Sequence, residues 1–240
     1  MQPIIELRQY TLHPGQRDVL IELFDREFVE TQEAVGMRLV GQFRDRDRSD
    51  RFVWIREFPD MPSRAQALGD FYGGPVWKAH RDAANATMID SDNVLLLRPA
   101  DADSAFAAPT TPRPAAGAAA KPPSRISATI YSLDAPVDTD FKRFFVSEIE
   151  PALAEAGART IARYETDPSE NTFPRLPVRE GEHVFVWFGA FADEAVLRQC
   201  EARLATSARW TDELRPDLMS RLASPPERLI LEPTARSQLR

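Results

Sequence analysis

Phe52-Val53-Trp54-Ile55-Arg56-Glu57-Phe58 and Phe185-Val186-Trp187-Phe188-Gly189-Ala190-Phe191 carry one aromatic frame twice, 133 positions apart, and that recurrence decides the fold. Working outward, Trp77 returns as Trp210 at the same offset, so all four tryptophans fall into two matched pairs. Upstream the offset is 121: Tyr10, Leu12, Phe24, Gly36 and Arg38 return as Tyr131, Leu133, Phe145, Gly157 and Arg159. The change in offset, 12 residues, places an insertion in the second copy between Thr166 and Gly181.

Each copy reads in the same order. Ile4 to Leu12 alternates an Ile5/Leu7/Gln9/Thr11 face with a Glu6/Arg8/Tyr10 face, the period of a strand, and His13-Pro14-Gly15 ends it. From Arg17 the apolar Leu20, Leu23, Phe24 and Phe28 follow helical spacing, as do Phe141, Phe144, Phe145 and Ile149. Gly36 and Gly157 provide left-handed helix ends. Met37 to Phe43 and Phe52 to Phe58 read as a hairpin across the polar turn Asp45 to Asp50. A helical stretch from Pro62 to Met88, broken at Gly73-Gly74-Pro75, leads to a closing strand, Val94 to Leu97, matched by Leu229-Ile230-Leu231. The expected fold class is α+β: two tandem ferredoxin-like β-α-β-β-α-β domains, 1–98 and 125–240. Each sheet has helices on one side only, and packing the two bare faces together gives an α+β barrel.

Between them, residues 99–124 hold 10 Ala, 6 Pro and a single large apolar residue, Phe106, which reads as a linker and plain tether. The 240 residues carry a net charge of −7, and neither half is net positive, which excludes a counterion-releasing grip on nucleic acid. A single cysteine, Cys200, excludes an intrachain disulfide, and the charges at Glu6 and Arg8 interrupt any apolar leader or membrane span at the start. A cytoplasmic protein is expected, with homo-oligomers forming through exposed strand edges.

Three stretches resemble the NIPSNAP family: Phe52 to Phe58, Phe71-Tyr72-Gly73-Gly74-Pro75-Val76-Trp77-Lys78-Ala79-His80-Arg81, and Asn171 to Glu180. The opening Glu6-Leu7-Arg8-Gln9-Tyr10-Thr11-Leu12, followed by Pro14-Gly15, is similar to that family's first strand and turn. The resemblance implies the dimeric α+β barrel superfamily, which includes cofactor-free monooxygenases and haem-handling enzymes. It does not imply a reaction, because function resides in sites rather than in folds.

Candidate site residues follow from the polar strand face. With Glu6, Arg8 and Tyr10 directed into the barrel, the interior would be an asymmetric pocket in which Arg8 or Arg56 holds an anionic or carbonyl group and Tyr10 donates a hydrogen bond. Trp54 lines the same face, and Ser127, Thr129 and Gly189 stand at the positions of Glu6, Arg8 and Arg56 in the second copy. The alternative is a Glu6–Arg8–Arg56 network that satisfies only itself. His80 is the candidate for acid-base work or, by the resemblance, for ligating haem; with no cofactor otherwise expected, it competes with a plain surface histidine. The three histidines and Cys200 are too scattered for a zinc site, and Cys200 corresponds to Ala67, a core position. The insertion, carrying Asn171, Phe173, Arg175 and Arg179 among prolines, reads as a clasp on the neighbouring domain or a lid, with Arg175 a ligand candidate. The expected function is binding of a small organic molecule in the barrel, extending to cofactor-independent oxygenation or isomerisation. The alternatives are a non-catalytic interaction scaffold and a haem protein. A hollow, polar interior near Tyr10, Arg8 and Arg56 favours the enzyme; a filled one ends that reading.

Overall fold

The computed structural model describes residues 3–240; the first two positions of the segment read for a leader lie outside them. The fold is mixed α/β. In the first half the strands β1 (Ile4–Leu12), β2 (Arg38–Asp45), β3 (Arg51–Phe58) and β5 (Val94–Pro99) pair in the order β2-β3-β1-β5. In the second, β6 (Arg125–Ser132), β7 (Arg159–Thr166), β8 (Val184–Phe191) and β9 (Glu227–Pro233) pair as β7-β8-β6-β9. β2 joins β9 and β5 joins β7, both antiparallel, so eight strands close into a barrel. Closure consumes the edges expected to support oligomerisation; the short β4 (Met88–Asp90) hangs on β1 outside the ring. β4 also corrects the second helical stretch, which ends at Asn85 rather than Met88.

The helices lie outside the barrel. Helix α1 spans 17–33, α2 Met61–Gly73 and α3 Pro75–Asn85; α4 spans 139–156, α5 Glu194–Thr206, and α6 209–220. Asp60, Asp138 and Asp193 begin α2, α4 and α5 by accepting from the backbone N–H of Ser63, Phe141 and Val196. Gly36 and Gly157 take positive φ of 91° and 107°, as their place after α1 and α4 requires. Both helices widen into a π-helical turn at matched positions, Phe24–Phe28 and Phe145–Ile149, which the apolar spacing did not reveal.

The barrel interior is filled. Ile5, Leu7, Val53, Ile55, Ile126 and Phe188 belong to one buried apolar cluster drawn from both halves. The expected polarity of the two β1 faces is therefore reversed: Ile5 and Leu7 point inward, while Glu6, Arg8 and Tyr10 lie beneath the helices. The physical reason is that the space between two sheets holds few groups able to pair a charge, whereas helices and loops bring side chains that can. The polar pocket expected between the sheets is replaced there by this apolar cluster.

The linker is more than a tether. Phe106 is only 7% exposed and joins the interior cluster, its ring 4.8 Å from that of Phe188 and its N–H donating to the Tyr164 hydroxyl at 3.0 Å. Arg113 donates to the Leu39 and Arg236 carbonyls and to Glu33. A low-complexity composition hides one anchoring aromatic and one anchoring cation.

Candidate functional site

Beneath the helices of the first half, the antiparallel register sets Glu6 opposite Arg56 and Arg8 opposite Trp54. The Glu6 carboxylate accepts from Arg8 Nη1 at 2.6 Å, Arg56 Nε at 2.8 Å and Arg64 Nε of α2 at 2.7 Å. All four side chains are 0–1% exposed. Arg8 Nε donates to the Tyr10 hydroxyl at 3.0 Å, and Arg56 Nη1 donates to Gln32 Oε1 at 3.1 Å. Both guanidiniums also lie against the Trp54 ring, Arg56 at 4.9 Å and Arg8 at 5.4 Å from its centroid. Burial by itself would raise the Glu6 pKa; Arg56, Arg8 and Arg64 override it and hold the carboxyl well below its usual range. Burial pushes the Tyr10 phenol up, against the opposing pull of Arg8. Only about 30 Å³ of cavity remains beside the network, lined by Tyr10, Gln32, Trp54, Tyr72 and neighbouring aromatics.

The segment between β7 and β8 closes over this cluster. Asn171 Oδ1 and Thr172 Oγ1 accept from Arg64 Nη1 at 3.1 and 3.2 Å, and Phe173 stacks on Tyr72 at 5.9 Å between centroids. Leu176 packs on the first-half core, and the Arg179 N–H donates to the Val94 carbonyl. The insertion thus clasps the other half, as one of its two expected readings has it. Arg175 is exposed on that loop and does not join the site, because the loop anchors through its neighbours on either side.

Glu6, Arg8, Tyr10, Trp54 and Arg56 are brought together; His80 is not. Its Nε2 lies 3.5 Å from Glu27 Oε2, with the side chain 32% exposed on α3. The residues do not fit a haem: His80 lines neither the 30 Å³ cavity nor the other hollows described here, and a carboxylate already faces the imidazole. Arg64 was missed by the sequence reading, although a charged residue at the helix position filled by Leu197 in the second copy was a usable signal.

The corresponding space in the second half is open. Here the register sets Ser127 opposite Gly189 and Thr129 opposite Trp187. A cavity of about 540 Å³ lies between these strands and α4, α5 and α6, walled by Tyr131, Trp187, Phe191 and Trp210. The Thr129 hydroxyl at its floor is buried without a partner among the described residues, and the Tyr131 hydroxyl accepts from Trp187 Nε1 at 3.1 Å. Burial pushes the Tyr131 phenol up to about 12, so it is protonated at neutral pH. Cys200 lines the same space, its thiol raised by burial, and an Arg228–Glu201 pair at 2.7 Å stands at the partly exposed mouth. A comparable hollow under the linker, about 550 Å³, is no more open than this one; its Arg38 and Arg113 are already paired with Glu57 and Glu33.

The NIPSNAP family model matches residues 5–102, which hold β1 to β5 and the whole arginine cluster. That stretch is a NIPSNAP domain. The NIPSNAP domain and the rest of the chain together are similar in fold to a Fusobacterium nucleatum protein provisionally assigned as a monooxygenase. That likeness has a TM-score of 0.57 at 10% identity, over 97% of this chain and 93% of that one. A Lactobacillus acidophilus protein with the same provisional assignment matches at 0.56 and 11%, over 97% and 94%. An anthrone oxidase-like protein matches at 0.54 and 14%, over 98% and 92%. No curated protein matches the sequence. At these identities the likeness establishes the barrel fold alone.

Proposed function

We propose that the chain is a tandem pair of ferredoxin-like domains, 1–98 and 125–240, and that the second binds a small, mostly apolar organic molecule carrying an oxygen function. The single observation that carries this reading is the cavity of about 540 Å³ in the second half, against about 30 Å³ at the corresponding place in the NIPSNAP domain. Its size falls in the range of small-molecule sites, about 300–1,000 Å³, and its aromatic walls with few convergent polar groups are their usual chemistry. The Tyr131 hydroxyl, having accepted from Trp187, keeps its own proton to donate to a ligand oxygen, and Thr129 offers a second hydroxyl beside it.

The site serves binding first. A protonated phenol, an alcohol and a thiol raised by burial polarise or stabilise an oxygen; they do not remove a proton at neutral pH. The names of the fold neighbours make oxygenation the reaction to assay on any ligand found there. The interaction-scaffold alternative draws no support from the surface, where the exposed large apolar residues Val19, Ile89 and Val146 sit on three separate elements.

Calorimetric titration with 1-naphthol, a planar aromatic alcohol, tests the reading. One saturable site per chain is expected, and Ala205→Tyr, which installs the residue found at Tyr72, is expected to weaken it by about tenfold or more. Absence of saturable binding, or equal affinity in the variant, sinks it.

A further inference from the structure

The first half contains a charge imbalance that the fold itself does not require. Glu6 contributes one negative charge and Arg8, Arg56 and Arg64 three positive ones, all from side chains that are 0–1% exposed. The remaining partners, Tyr10, Gln32, Asn171 and Thr172, are neutral. In the second half the same four positions hold Ser127, Thr129, Gly189 and Leu197, which carry no charge in the same strand pairing and the same helix. Two uncompensated positive charges removed from water are costly, and they persist only where something of opposite sign joins them.

The hydrogen bonds show where it joins. Arg64 Nη1 is shared between two neutral loop oxygens, while its Nη2 is buried with no partner among the described residues. Arg56 Nη2 lies 2.7 Å from Glu6 Oε2, an ion-pair contact out of line for a hydrogen bond, so the unpaired edge is that of Arg64. A guanidinium presents its two terminal nitrogens as a planar fork that a carboxylate matches with two parallel bonds. Asn171 and Thr172 occupy one tine of that fork with weaker, neutral acceptors. The loop bearing them comes from the other half and is held by the Phe173–Tyr72 stack, by Leu176 on the first-half core and by the Arg179 N–H on the Val94 carbonyl.

We propose that the NIPSNAP domain holds a small oxyanion of carboxylate size against Arg64, under the clasp formed by the segment between β7 and β8. This site is separate from the second-half pocket and takes the opposite chemistry, charged and compact rather than apolar and extended.

Thermal unfolding of the full chain in sodium formate and in sodium chloride, at pH 7 and equal ionic strength, tests it. Formate is expected to raise the midpoint by several degrees over chloride, saturably, in the wild-type protein. Arg64→Met removes the fork at similar volume and is expected to abolish the formate-specific part; Arg64→Lys, which keeps the charge and a folded core, is expected to lose most of it. Ala205→Tyr, in the other pocket, is expected to leave it unchanged. Equal midpoints in the two salts, or a formate-specific rise that survives in both Arg64 variants, overturns the proposal.

Discussion

The space between sheet and helices is built twice in this chain and filled in two ways. Tyr10, Trp54 and Trp77 frame it in the first half, and Tyr131, Trp187 and Trp210 in the second. Inside the first frame, Arg8, Arg56, Phe71 and Tyr72 leave almost no room; in the second, Thr129, Gly189, Leu204 and Ala205 stand at those positions and the space stays open. Trp187 lies so close over Gly189 that a Cβ there would come within 2.8 Å of its ring, so a larger residue at 189 requires the ring to move. The aromatic frame holds both halves together, and what lies within it is free to specialise.

The largest effect is expected at the charge that organises the filled half. Glu6→Gln leaves three buried guanidiniums without their carboxylate and is expected to cost about 3–5 kcal/mol in urea denaturation. Ser127→Ala at the matching position is expected to cost under about 1 kcal/mol. Equal losses at the two positions would break the contrast between the halves. The pH dependence has a definite sign. The folded-state pKa of Glu6 lies below its unfolded value near 4.5, so its contribution is complete above that value and is lost as pH falls toward the folded pKa. Glu6→Gln is expected to flatten that acid limb.

The frame was legible in the sequence because tryptophans and glycines are rare enough for their spacing to carry topology. Which face of β1 enters the barrel was not: alternation separates Ile5 and Leu7 from Glu6 and Arg8 without saying which set the helices cover. The partners that make the Glu6 face tolerable, Gln32 and Arg64, lie on helices 24 to 58 residues away from their bonded residues, beyond any local pattern. The open pocket was half legible. The replacements of Phe71 by Leu204 and Tyr72 by Ala205 run from large to small, but only their convergence in space turns them into a cavity.

A second contrast sits at the second residue of the π-helical segments. Asp25 occupies α1 where the exposed Val146 stands in α4. Burial raises the Asp25 carboxyl to about 6, despite the pull of Arg236, Arg44 and Arg113, and its Oδ1 has no hydrogen-bond partner. A carboxyl whose folded pKa exceeds its unfolded value of 3.8 favours the protonated folded state, so stability is lost as pH rises from about 4 through 6. Asp25→Asn is expected to stabilise the protein by about 1–2 kcal/mol at pH 7 and by little at pH 4. Urea midpoints at the two pH values check this, and a variant that gains nothing at pH 7 shows that Asp25 is solvated or paired in solution. Val146→Asn is expected to be neutral at both.

The smallest effect sharpens the comparison most, because it exchanges one atom in each frame. Tyr131→Phe removes the acceptor of the Trp187 indole and the donor assigned to the ligand oxygen, while leaving the aromatic wall in place. Such a hydrogen bond has a net worth of about 1 kcal/mol, so 1-naphthol affinity at pH 7 is expected to fall about three- to tenfold. Tyr10→Phe removes the equivalent hydroxyl from a space with no room for the probe and is expected to leave that affinity unchanged. The raised phenol of Tyr131 adds a second readout. Its folded pKa of about 12 exceeds the unfolded value of 10.0, so the unfolded chain releases its proton first and stability falls as pH rises through that interval. Tyr131→Phe is expected to lose that part of the alkaline decline. If the variant keeps full affinity for 1-naphthol, the ligand oxygen belongs at Thr129 instead, and Thr129→Val becomes the change that removes it.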